Sequence, residues 1–151
     1  MYRKKDFRLK SVLNYKSNLV NVLEGELVKY KVTYQQEVEN LAKLEAAQVQ
    51  STILLQDQQT AGMLDCQFIQ MQHQYLQTIK ENIVRQSFRV DEAKSQLDHK
   101  RQTLAAALKE KKTLEKLKEI HEDEENQRQL RHESETIDDL VIARYNRKEE
   151  S

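Results

Sequence analysis

The sequence predicts an all-α fold: an antiparallel two-helix coiled-coil hairpin with a longer second helix. Three observations predict it. Proline is absent and glycine occurs only at Gly25 and Gly62 in 151 residues, where average usage would supply around ten glycines and several prolines. Tight turns are therefore scarce, which excludes sheets, barrels and glycine-rich phosphate loops. Two sustained heptad frames of equal length occupy the chain. The frames do not join across Gly62.

The first frame steps by four and three from Leu9 through Leu13, Val20, Leu23, Leu27, Tyr30, Tyr34, Leu41 and Leu44 to Leu55, and ten of its fourteen positions are apolar. At 38% apolar composition, chance would give roughly five. Helix one is expected over about residues 5–57. Gly25 lies inside it, and nothing in the sequence explains a residue that costs about 1 kcal/mol relative to alanine there.

A turn is expected over about residues 58–65. Gly62 helps end helix one, and Asp65 is placed to cap helix two. The second frame runs from Ile69 through Leu76, Ile79, Ile83, Val90, Ala93, Leu97, Leu104 and Ala107 to Leu114, again with ten of fourteen positions apolar. Helix two is expected over about residues 66–147, and residues 1–151 form a single coiled-coil domain.

Folding back near Gly62 sets Leu9 against Leu114, Val20 against Leu104, Leu27 against Leu97, Tyr34 against Val90 and Leu41 against Ile83. Two polar interruptions coincide, Glu37 with Gln86 and Ser51 with Gln72, and matched polar residues in a seam specify register. Lys100 and Lys111 fall opposite Leu23 and Leu13 and are expected to snorkel outward. Each paired helix extends about 70 Å at 1.5 Å per residue. A two-helix seam encloses no enzyme-sized pocket. Residues 115–151 have no partner in this register and are expected to need another protein to order fully.

The net charge is +0, with 25 basic and 25 acidic residues, so no overall field draws the chain to nucleic acid or membrane. Locally the charge is segregated: residues 1–10 carry net +4, residues 100–118 net +5 and residues 119–139 net −7. The register sets the two basic stretches side by side. The turn end is polar and nearly uncharged, with ten glutamines between residues 46 and 79. The basic start is followed by no long apolar run, so neither a signal peptide nor membrane insertion is expected. The single cysteine, Cys66, suits a reducing compartment.

His121 and Glu125, at i and i+4, share a helix face and offer two metal-ligand types. The plainer reading is a solvated acidic face, and no cofactor is expected. Cys66 lacks an activating base and an oxyanion site and reads as a partly packed thiol. Lys109, Lys111, Lys112, Lys116 and Lys118 lack the aromatic interleaving of single-strand binders, so no nucleic acid is expected. Near the turn Tyr75, Ile79, Asn82 and Gln86 form a spaced ladder. Ile79 and Gln86 belong to the seam, and Tyr75 and Asn82 lie at its edge, so core packing and a partner surface both remain open.

Three stretches together resemble a known family. Phe7-Arg8-Leu9-Lys10-Ser11-Val12-Leu13 resembles the F-x-L-x-x-V-L opening of the FliJ family of flagellar export proteins. Glu135 to Tyr145 resembles its closing E-x-x-x-D-E-x-A-x-R-F/Y pattern, with Asp139 where the family often has Glu. Gly62 and Tyr75-Leu76-Gln77-Thr78-Ile79, followed by Ile83 and Gln86, are similar to its post-turn segment. The resemblance implies a non-enzymatic stalk of the flagellar type III export apparatus, inserted in the hexameric export ATPase ring. It also implies contact with the cytoplasmic domain of the export gate, association with export chaperones, and a cytoplasmic location peripheral to the cell membrane. On that resemblance Arg3, Lys4, Lys5, Arg8, Lys111 and Lys112 are expected to meet acidic ring walls, with Asp138, Asp139 and Arg144 near the tip. Tyr75, Ile79, Asn82 and Gln86 are expected to bind the gate. The stalk of a virulence secretion system and a passive coiled-coil scaffold are the alternatives.

Overall fold

In a computed structural model, residues 1–60, 62 and 65–150 are described. They form two helices, α1 (Lys10–Thr60, 51 residues) and the longer α2 (Cys66–Glu149, 84 residues), and no strand is found among them. The all-α hairpin with a longer second helix is therefore observed. Two compact units divide the chain: unit one holds Met1–Asn21 and Ala105–Ser151, and unit two holds Val22–Leu104.

Unit two is an antiparallel helical hairpin. Its buried apolar residues are Leu23 and Leu55 from α1 and Leu76, Ile79, Ala93 and Leu97 from α2. On α2 these fall in the three-four spacing of one heptad face, which is why only one stripe of each helix is shielded. Both matched polar layers form. The Ser51 hydroxyl donates to Gln72 Oε1 at 3.0 Å. Gln86 Nε2 donates to the Glu37 carbonyl at 2.9 Å and also to the Glu37 carboxylate. A one-turn slip would strand the buried Ser51 hydroxyl and the buried Gln86 amide, so the pairs lock the register. Lys100 is held at the edge of the seam on a partly exposed partner. Its Nζ donates to Glu26 Oε2 at 2.9 Å and lies 5.5 Å from the centre of the Tyr30 ring.

At the turn, Gly62 has φ +72, the left-handed conformation that stops a helix and favours glycine. Asp65 caps α2: its Oδ1 accepts from the Gln67 amide at 3.1 Å and the Phe68 amide at 3.4 Å. Ala61, Met63 and Leu64, which the expected turn includes, lie outside the described residues. Cys66, read as a partly packed thiol, is exposed instead, because it occupies the solvent side of the first turn of α2. A Cβ built on Gly25 would meet nothing within 4 Å. Gly25→Ala is therefore expected to stabilise the protein by about 0.5–1 kcal/mol, read as a higher urea midpoint with an unchanged slope.

Unit one departs from the simple register. α1 begins at Lys10, whereas the heptad pattern sets its start near residue 5. The first nine residues form a non-helical arm, closed onto α1 by the Lys10 amide donating to the Phe7 carbonyl at 3.2 Å. An extended chain rises about 3.3 Å per residue against 1.5 Å for a helix. The arm therefore overtakes the helical register and reaches far along α2. Leu9 shares a groove with Leu117, Ile120 and Glu124. The hydrogen bonds of the basic arm accordingly fall on the acidic segment of α2, at His121, Glu125 and Asn126, and only its last residues reach back to Leu117. Residues 115–151 are also not wholly unpartnered, since the arm covers α2 as far as His132.

Candidate interaction surface

Glu125 is the centre of the arm contact. Its neighbours on α2 from Glu122 to Arg128 are exposed, yet Glu125 is only 2% exposed, because the arm folds over it. Its Oε2 accepts the Tyr2 hydroxyl at 2.7 Å and the Lys5 amide at 3.2 Å, and its Oε1 accepts Arg128 at 2.6 Å. Lys4 Nζ donates to Asn126 Oδ1 at 2.7 Å. His121 Nε2 is 2.9 Å from the Lys5 carbonyl, so this nitrogen carries the proton. Two ring contacts flank the centre, Tyr2 with His132 at 5.6 Å and Phe7 with His121 at 5.7 Å. The i, i+4 pair His121 and Glu125 thus forms a cradle for the arm, in place of a solvated face. Among the described residues no group of three or more His, Cys, Asp or Glu is placed to hold a metal.

The electrostatics follow from these bonds. The Tyr2 hydroxyl does most to hold the Glu125 carboxyl below its usual range; burial opposes it, and the Lys5 amide and Arg128 add to it. The same bond to Glu125 pushes the Tyr2 phenol up, helped by burial and by the carboxylate charge, against Arg128. The signs define a window. The carboxylate contribution is fully present above the carboxyl's unfolded pKa and is lost as pH falls through the depressed folded value. The phenol contribution is fully present below the phenol's unfolded pKa and is lost as pH rises through the raised value. Arm docking is expected to hold throughout the neutral range and fail at both extremes. A spin-label distance between residues 3 and 127, followed with pH, checks this; a distance that lengthens near neutrality would contradict it.

The residues expected to meet a ring all fall in unit one. The side chains of Arg3, Lys4, Lys5 and Arg8 are exposed along the arm, although the Lys5 backbone and the Lys4 amine already bind α2. Lys112 is exposed, and Lys111 is half-buried with its Nζ 3.9 Å from Glu115. Asp138, Asp139 and Arg144 are exposed on a stretch of α2 where every residue from Arg131 to Glu150 is exposed. That stretch displays Ile137, Leu140, Val141, Ile142 and Tyr145, and Arg147 and Lys148 in its last turn complement the helix dipole.

The residues expected to meet a gate fall in unit two and separate by burial. Ile79 is 3% exposed and Gln86 6%, both within the seam, whereas Tyr75 is 52% exposed and Asn82 is half-buried. Only Tyr75 and Asn82 offer side-chain surface to a partner. Sequence reasoning missed the Tyr2–Glu125 contact altogether, because it joins a non-helical arm to a heptad position that reads as polar. The opposite charges of residues 1–10 and 119–139 were the available signal.

No described helix is long and apolar enough to cross a membrane. Searches of curated proteins and of solved structures returned no significant match. A scan against protein-family models matched one, described as flagellar FliJ protein, over residues 4–150. That match takes in the arm from Lys4 onwards, both helices and the exposed apolar end of α2, so the chain belongs to the flagellar FliJ protein family and is a component of the flagellar export apparatus.

Proposed function

We propose that this protein is a non-enzymatic stalk of the export apparatus, engaging the hexameric export ATPase through unit one and the cytoplasmic domain of the export gate through unit two. It works at the inner face of the cell membrane and promotes ATPase assembly and activity; export chaperones are further partners. One observation carries the reading. The end of α2 leaves Ile137, Leu140, Val141, Ile142 and Tyr145 each more than half exposed, in one run beside Asp138, Asp139 and Arg144. An apolar cluster of this kind, rimmed by charge, marks a surface that another protein covers.

On this reading Lys111, Lys112 and the arm cations Arg3, Lys4, Lys5 and Arg8 face acidic walls of the ring, where unlike charges speed encounter and set orientation. The apolar end supplies the desolvated contact that holds the complex. The test is co-purification of the full chain with the export ATPase, followed by hydrolysis rates with and without it. Binding with raised hydrolysis is expected. An ATPase that neither binds the chain nor changes rate would overturn the proposal.

For the gate, Tyr75 is the anchor, because an exposed tyrosine supplies a large contact area at little entropic cost. Tyr75→Ala is expected to weaken affinity for the gate's cytoplasmic domain roughly tenfold with helix content unchanged. Equal affinity would remove this patch from the interface.

A further inference from the structure

We propose that the first nine residues are an autoinhibitory strap: the acidic segment of α2 holds the arm in place of an acidic partner surface, and the arm must let go of α2 before Lys4 and the Lys5 backbone can engage that partner. The inference rests on the arm-to-ring reading given above, and adds to it an internal competitor.

The strap is built from polar contacts. Helix pairing elsewhere uses an apolar stripe interrupted by two polar layers, but the arm is fastened by Tyr2 and the Lys5 amide to Glu125, by Lys4 to Asn126 and by the Lys5 carbonyl to His121. Hydrogen bonds are individually modest in net worth, so a few of them suit a segment that leaves and returns. The net charges are opposite, +4 on residues 1–10 against −7 on residues 119–139. An acidic partner wall presents the same chemistry to the arm. Lys4 and the backbone of Lys5 cannot serve both at once.

Glu125 is the latch, because its two oxygens take three donors. Glutamine keeps the shape but must turn an NH2 group towards either Arg128 or the Tyr2 and Lys5 donors. Glu125→Gln therefore loosens the arm without emptying any part of the helix seam. Tyr2→Phe removes a single donor and acts in the same direction, less strongly.

Trypsin cleavage of the full chain after Arg3, Lys4, Lys5 and Arg8, resolved by mass spectrometry, reads whether the arm is held, while cleavage after Lys43 in α1 reports opening of the helices. In Glu125→Gln, arm cleavage is expected to rise roughly tenfold with Lys43 cleavage unchanged. The concentration of protein giving half-maximal ATPase stimulation should fall several-fold. Arm cleavage equal to that of the unaltered chain would overturn the strap, whatever the ATPase does. A freed arm that brings no gain in stimulation would overturn the competition. Neutralising Arg3, Lys4, Lys5 and Arg8 to alanine separates the two readings: undiminished stimulation would show that the arm does not engage the ring.

Discussion

Leu97→Ala is expected to lower the unfolding free energy by about 2–3 kcal/mol, towards the low end of the cost of emptying a buried leucine site. Leu97 is 3% exposed and sits one heptad step from Ala93, itself 7% exposed. Ala93 and Leu97 are successive positions of the seam, so truncation of Leu97 leaves two alanines in succession there. The cost stays below the extreme because a two-helix seam lies close to solvent, so neighbours and water refill part of the gap. Urea unfolding followed by helical circular dichroism measures it, with Leu130→Ala as control. Leu130 is 65% exposed and should change the midpoint little. Equal effects of the two substitutions would mean that the heptad seam is not the source of stability.

Glutamate at both Lys111 and Lys112 is expected to lower ATPase stimulation roughly tenfold at low ionic strength, with the difference shrinking as salt rises past about 0.15 M. Lys112 is exposed, so its reversal disturbs nothing inside the chain. Lys111 lies 3.9 Å from Glu115 at i, i+4, and its reversal sets two carboxylates together at a cost of a few tenths of a kcal/mol. That is too little to unfold α2, so a loss of stimulation would report the partner. Lys43→Glu, a single charge reversal on an exposed residue of unit two, should leave stimulation intact. Stimulation unaltered by the double reversal at low salt would remove these two lysines from the ring contact.

The placement of cations illustrates where sequence reasoning succeeds and where it stops. The pairing of Ser51 with Gln72 and of Glu37 with Gln86 was legible, because both partners sit in regular helices whose pitch is known. From Lys10 onwards residue number converts directly into distance. Before Lys10 it does not, since a non-helical chain covers about twice the length per residue. The heptad pattern continued to Leu9 therefore misplaced the arm and set two basic stretches side by side. The contact with the acidic segment also changes the meaning of His121 and Glu125: one spacing fits a metal pair, a wet helix face or an arm cradle, and only the position of Tyr2 and Lys5 distinguishes them. In the ladder near the turn, the sequence set Ile79 and Gln86 on the seam and Tyr75 and Asn82 at its edge. Burial then left only the second pair with surface for a partner.

The sequence by itself determined two long helices, the break at Gly62 capped by Asp65, and the family. Each of these rests on local periodicity, on the one glycine with positive φ, or on short motifs, all of which act within a few turns of chain. Tertiary structure alone decided the burial of Glu125, the course of the arm over α2 and the extent of α2 left uncovered. Those depend on which donors meet a carboxylate more than a hundred residues away, and no periodic signal encodes a contact made by a segment that has no period.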